Sequence, residues 1–218
     1  MRIGVAIPCY KFHIPKLKRC LDSIEMQTVK PDMVVVSCSS SAPEDIPTYK
    51  YSYPLRVITH KERKNAAQNR NIASAALDTD IVSFFDCDDE MHPQRIEALK
   101  KGFETHSGLD IILHQFLINH EVNQPFEFYP NFSTQFDCLS RSPTGCAVYK
   151  HNWSERIHHS QVTVSKFVLG RIQFKEDPSN ERREDALFCG DVLAMPNCQN
   201  LYIFNKLSKY YMEGETHM

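Results

Sequence analysis

What most limits the fold of this chain is an alternation, sustained through its first half, of short apolar runs with stretches whose apolar residues recur at helical spacing. Such an alternation marks strand-helix-strand units wound around a largely parallel sheet. Ile3 to Ile7 is expected to be the first strand, followed by a turn over Pro8 to His13 and a helix opened by Pro15, with Leu17, Leu21 and Ile24 on one face. Met33 to Val36, Leu55 to Thr59 and Ile81 to Phe85 read as the next three strands, with a loop or poor edge from Ser39 to Pro54. Between the third and fourth lies a helix over Arg63 to Leu77, with Ala66, Ala73 and Leu77 on one side. The fourth run, Ile-Val-Ser-Phe-Phe, is apolar enough to be buried on both faces, and the helix begun by Pro93 carries Ile96, Leu99 and Phe103 inward. The fold class that follows is α/β, a Rossmann-like, mixed but mostly parallel sheet flanked by helices.

The second half is less regular. After an apolar segment from Asp110 to Ile118, aromatics crowd Phe126 to Phe136, and Gly145 to Tyr149 and Gln161 to Phe167 are short candidate strands. A helix from about Arg183 to Leu193 and an apolar run Leu201 to Phe204 close the pattern, without any internal repeat.

Charge and composition exclude several function classes. Lys plus Arg is 25 and Asp plus Glu is 27, a formal net charge of −2, so the chain exerts no general attraction on nucleic acid or an acidic membrane. No apolar stretch reaches membrane-spanning length, and Pro8 cuts off the N-terminal run. None of the eight cysteines stands in a Cys-x-x-Cys pair, which fits reduced thiols in a soluble, cytoplasmic protein. With seven glycines and neither a Gly-x-Gly-x-x-Gly nor a Walker-type loop, a bound phosphate would be neutralised by metal and side chains rather than by a backbone cradle.

Ligands of open α/β sheets collect beyond the carboxyl ends of the strands. Four such ends are polar or shaped for a turn: Pro8-Cys9-Tyr10, Ser37 to Ser41, His60 to Asn71, and Asp86-Cys87-Asp88-Asp89. In an extended strand end, residues two apart share a side, so Asp86 and Asp88 are expected to face one pocket while Cys87 turns inward. Two carboxylates suit a hard cation, magnesium or manganese, which keeps positions open for diphosphate oxygens. The plainer reading is a solvated acidic turn ahead of a helix.

Three segments together carry a family resemblance. Val5-Ala6-Ile7-Pro8-Cys9-Tyr10, Cys20-Leu21-Asp22-Ser23-Ile24 with Gln27-Thr28, and Phe84-Phe85-Asp86-Cys87-Asp88-Asp89 with Pro93 resemble, in order and spacing, the family 2 glycosyltransferases of the GT-A fold. The resemblance covers about residues 3 to 99 well and is patchy beyond. It implies a single GT-A domain over residues 1–218, with a nucleotide-sugar-binding half to about residue 92 and an acceptor-binding half after it. It further implies an inverting transfer from a UDP-sugar donor to a hydroxyl of a glycan or glycoside. Pro8, Cys9 and Tyr10 would then contact the nucleoside, Asp86 with Cys87 would lie near the ribose or base, and Asp88 would ligate the cation. Soluble sugar transferases of large DNA viruses are a comparable case.

The sequence departs from the family at two points. Ser37-Cys38-Ser39-Ser40 stands where Asp-Asp-Gly-Ser is usual, so Ser37 and Ser39 or their backbone are left to meet the base. Ala67-Gln68-Asn69-Arg70-Asn71 replaces Ala-Arg-Asn-x-Gly; it keeps Asn69 and leaves Lys64 and Arg70 to reach the diphosphate or sugar, unless both lie on a solvated helix face. Glu184 and Asp185 resemble the acidic pair of inverting members, and Asp185 is preferred over Glu184 as the general base. Acids in a first helical turn are also common for electrostatic reasons alone. His217, in a C-terminal tail of the kind that closes over the diphosphate, is a further candidate ligand, as Trp153 is for stacking an acceptor sugar; His151, His158 and His159 lack ligand spacing. The competing functions are a sugar nucleotidyltransferase, an Asp-nucleophile phosphatase, and a nucleotide-sugar-binding module without turnover.

Overall fold

The computed structural model describes residues 1–150, the backbone of 152–156, and residues 161–180 and 182–212. Among the described residues there are twelve strands: β1 (Ile3–Tyr10), β2 (Met33–Ser39), β3 (Leu55–His60), β4 (Ile81–Phe84), β5 (Glu90–Met91), β6 (Ile111–Ile118), β7 (Thr134–Phe136), β8 (Leu139–Arg141), β9 (Ala147–Tyr149), β10 (Asn152–Arg156), β11 (Thr163–Ser165) and β12 (Asn200–Tyr210). The helices are α1 (Ile14–Glu25), α2 (Ala66–Ala75), α3 (Arg95–Thr105), α4 (Lys166–Leu169) and α5 (Glu184–Leu193).

The main sheet runs β3-β2-β1-β4-β11-β6-β12-β5, with β7 on β12, and a separate sheet has the order β10-β9-β8. β1, β2, β3 and β4 are mutually parallel, as are β6 and β12, while β11 is antiparallel to both β4 and β6. This is the mixed, mostly parallel sheet flanked by helices that the periodicity calls for. Strand order reverses between β1 and β4, which opens the crevice where such sheets bind ligands.

Each face has its own core. Leu17, Leu21 and Ile24 of α1 and Ile96, Leu99 and Phe103 of α3 pack on Val5, Ile7, Val34, Val36 and Ile81. On the other face Ala67, Ala73 and Leu77 join Phe188, Cys189 and Val192 of α5 over Ala6, Val35, Val82 and Phe84. Gly4 lets the end of α2 close on β1: a Cβ there would lie 2.7 Å from Leu77 and 2.9 Å from the Thr79 hydroxyl.

Among the boundaries that differ from expectation, three have a direct physical reason. β1 continues through Pro8 to Tyr10, because β4 pairs with it only as far as Ala6 and the missing proline N–H falls where that neighbour has ended. β2 likewise runs on through Ser37, Cys38 and Ser39, which the polar serines disguised as loop. Helix α2 begins at Ala66 rather than Arg63: Asn65 caps it, accepting from Gln68 N at 2.9 Å while Gln68 Oε1 accepts from Asn65 N at 3.0 Å.

Candidate active site

β4 ends at Phe84, so Asp86 to Asp89 form a turn and not an extended strand end; Asp86 O accepts from Asp89 N at 3.3 Å. The turn still carries both expected carboxylates, with Cys87 between them in sequence only 2% exposed. Burial and the neighbouring Asp86 carboxylate raise the Asp88 carboxyl above the ordinary aspartate range. Asp89, wholly buried, anchors the turn from below: Gln161 Nε2 donates to it at 2.5 Å and Tyr211 N at 3.0 Å. Arg19 donates to the Asp88 carbonyl while its guanidinium lies 3.7 Å over the Tyr211 ring. Gln161, Tyr211 and Arg19 carry no motif, which is why sequence reasoning missed them.

Arg70 joins this turn to the head of α5. Its Nη2 meets Asp86 Oδ1 at 2.9 Å and its Nη1 meets Glu184 Oε1 at 2.7 Å, with the whole residue 4% exposed. Burial alone would lower the guanidinium pKa, but Asp86, Glu184 and Asp185 hold it above its usual value. The ring of Phe174 lies 5.4 Å from the guanidinium and stacks on Phe188 at 4.0 Å, with Phe84 against both. A solvated helix face is therefore not where Arg70 lies. Asp185 is half-buried in the first turn of α5, with Oδ1 accepting from Ala186 N at 2.6 Å. The helix is drawn in by Gly190, whose Cβ, if present, would stand 1.8 Å from the Gly145 carbonyl oxygen.

The other expected contacts are placed as follows. Ser37 and Ser39 are wholly buried and bond inward: Ser37 Oγ donates to Asn69 Oδ1 at 2.9 Å, Asn69 Nδ2 donates to Ser39 Oγ at 3.2 Å, and Ser39 Oγ donates to Lys64 O at 3.1 Å. These groups hold the loop before α2, and any contact with a ligand falls to the backbone or to the half-buried Lys64 side chain. Pro8 and Cys9 are buried in β1, whereas Tyr10 is half-buried, edge-on to the exposed ring of Phe12 at 5.4 Å. Cys9 and Cys38 are register partners on β1 and β2, and Cys87 Sγ lies 3.9 Å from His13 Nδ1. All eight cysteines are free thiols. His151, His158, His159, His217 and the Trp153 side chain lie outside the described residues.

Among the described residues no group of three or more His, Cys, Asp or Glu side chains gathers to hold a metal. A magnesium- or manganese-type site needs only one or two carboxylates from the protein. Asp86 and Asp88 stand two residues apart in one turn, near enough for the Asp86 charge to act on Asp88, and a pair of this chemistry suits such a cation.

The sequence model of glycosyl transferase family 2 matches residues 4–158, from β1 through the acidic turn and beyond. The chain belongs to that family. Similar proteins include an uncharacterized glycosyltransferase of Haemophilus influenzae, 26% identical over 114 residues, and the uncharacterized glycosyltransferase YwdF of Bacillus subtilis, 27% identical over 117. Each match takes in 51% of this chain but only 38% and 43% of those relatives, so the family 2 chain spans well under half their length. Among solved structures it is similar to the 1–349 fragment of S. aureus TarS. With UDP-GlcNAc bound, that fragment gives a TM-score of 0.70 at 16% identity over 99% of this chain and 60% of the other. In complex with UDP the TM-score is 0.68 at 15% identity, over 96% and 60%. At such identity the likeness is one of fold, and it extends over the second half, where sequence resemblance fades. No described helix of this family 2 chain is long and apolar enough to cross a membrane.

Proposed function

We propose that this chain transfers a sugar, with inversion, from a UDP-sugar to a hydroxyl of a glycan or glycoside, with a divalent cation on the donor diphosphate. The observation that carries the reading is the acidic turn Asp86 to Asp89 at the reversal of strand order, tied through Arg70 to the Glu184-Asp185 pair. Membership of family 2 and the UDP and UDP-GlcNAc complexes of the similarly folded TarS support the donor class.

In this reading Asp88, with Asp86 beside it, holds manganese or magnesium. Such an ion supplies Lewis-acid stabilisation of charge on the departing diphosphate. Tyr10 and the backbone at the ends of β1 and β2 border the nucleoside. Asp185 takes the acceptor proton on Oδ2, since Oδ1 already accepts from Ala186 N. A positioned carboxylate base contributes about 10² to 10⁴ in rate, because a neutral sugar hydroxyl is a poor nucleophile.

The deciding measurement pairs titration calorimetry with product analysis. Wild type binds UDP more tightly with manganese than without and releases UDP from a UDP-sugar; Asp88→Ala loses both. Full manganese-dependent binding in that variant removes the cation from Asp88. Release of pyrophosphate from a nucleoside triphosphate would instead identify a nucleotidyltransferase, and binding without turnover over a broad donor and acceptor panel a non-catalytic module.

A further inference from the structure

Arg70 lies where a cation reaching for the diphosphate was expected, yet both ends of its guanidinium are occupied. Nη2 serves Asp86 at 2.9 Å and Nη1 serves Glu184 at 2.7 Å, across 114 residues of chain. Glu184 is no freer: it is 8% exposed, Oε1 is bound to Arg70, and Oε2 is buried without a hydrogen-bond partner among the described residues. Glu184 also lines a cavity of about 10 Å³ shared with Asn65, Lys175 and Asp177, close to the space one water needs. A carboxylate buried to this degree and bound to Arg70 is poorly placed to meet an acceptor hydroxyl. The next residue, Asp185, points elsewhere because successive helical side chains diverge around the axis, and it is only half-buried.

We propose that Arg70 is a positioning residue of the transfer reaction: it ties the donor turn at Asp86 to Glu184 on α5, making Glu184 a tether and leaving Asp185 as the carboxylate that faces the acceptor. The inference rests on the proposed function for its catalytic meaning, though the tether itself is a property of the fold. Removing the guanidinium leaves two carboxylates uncompensated in a buried place, so it both destabilises the chain and frees α5 from the donor turn. A displacement of the base by about 1 Å is enough to cost on the order of 10² in rate.

Two measurements test it. In the first, Arg70→Ala is compared with wild type by calorimetry with UDP and manganese, and by UDP release from UDP-N-acetylglucosamine. UDP affinity is expected to stay within about threefold while turnover falls on the order of 10²-fold, with part of it restored by added guanidinium ion. A loss of UDP affinity matching the loss of turnover would overturn the proposal, since Arg70 would then be a diphosphate ligand. Asp185→Asn is expected to lose more turnover than Glu184→Gln, whose amide oxygen can still accept from Arg70; the reverse order also sinks it. In the second, thermal unfolding is followed for Arg70→Met, Glu184→Gln and the double variant. The double variant is expected to melt no lower than Arg70→Met alone, because removing both partners spares the stranded charge. Strictly additive losses in Tm overturn the tether even if the chain proves to have no activity on UDP-sugars, whereas a coupled cycle with no UDP binding by wild type would sink the functional reading and leave the tether standing.

Discussion

Residues 3–105 and residues 106–212 build one site by opposite means. In the first segment β1 pairs with β2 and β2 with β3, strands adjacent in sequence, and part of the polar bonding is local, as in the capping box of Asn65 and Gln68, although Asn65 Nδ2 also donates to Glu176 O at 2.8 Å. In the second, β11 slips antiparallel between β4 and β6, and β12 lies between β6 and β5, with its end at Tyr210 leading to the Tyr211 amide that holds Asp89. The first segment supplies the acidic turn. The second decides how the turn is held: from below by Gln161 and Tyr211, and from across the crevice through Arg70 by Glu184. A motif can thus be local while the geometry that makes it useful is not.

Substitutions can break or sharpen this contrast. The largest effect is expected for Asp185→Asn in the second segment, with turnover lower by about 10² to 10⁴ at nearly unchanged Tm, read from initial rates of UDP release. An unimpaired Asp185→Asn would leave the second segment without a chemical part.

Gly190→Ala comes next. The new methyl would meet a backbone carbonyl that cannot move aside as a side chain would, so α5 must shift. A cost of about 3 kcal/mol and a fall in Tm of roughly 6–12 °C are expected in thermal unfolding. Asn65→Ala, in the first segment, removes the cap and the bond from Asn65 Nδ2 to Glu176 O at 2.8 Å, and is expected to cost about 1–2 kcal/mol in urea unfolding. If Asn65→Ala proved as damaging as Gly190→Ala, the contrast between local closure and long-range closure would fail.

The smallest shift concerns Asp88, whose carboxyl is raised by burial and by Asp86. For an acid raised in the folded state, the ionised form opposes folding above its pKa, and that penalty disappears as pH falls through it. Asp88→Asn is therefore expected to raise Tm at neutral pH while abolishing manganese-dependent UDP binding. In wild type, that binding should weaken on acidification at a higher pH than an ordinary aspartate would give, because the protonated carboxyl does not ligate.

Much of the first segment was legible because helices and parallel strands write their burial into local periodicity. Leu17, Leu21, Ile24, Ile96 and Leu99 are all 0% exposed, as their spacing required. Polar residues read by type were the harder part: Ser37 and Ser39 looked like loop and are fully buried strand, and Arg70, expected to reach the diphosphate or to lie on a solvated helix face, is buried between two carboxylates. A charged residue carries no mark in sequence of the partners that permit its burial. Here those partners stand 16 and 114 positions away.

By itself the sequence determined the α/β class and the strand that leads into Asp86 and Asp88, because hydrophobic period is a property of neighbours along the chain; the pair Glu184-Asp185 was singled out by family resemblance. Only the tertiary structure decided that Arg70 bridges Asp86 and Glu184, that Asp89 is fastened by Gln161 and Tyr211, and that Gly190 brings α5 within reach. Each of these depends on which strands lie side by side in the sheet, and that choice is made by long-range packing rather than by any local pattern of residues.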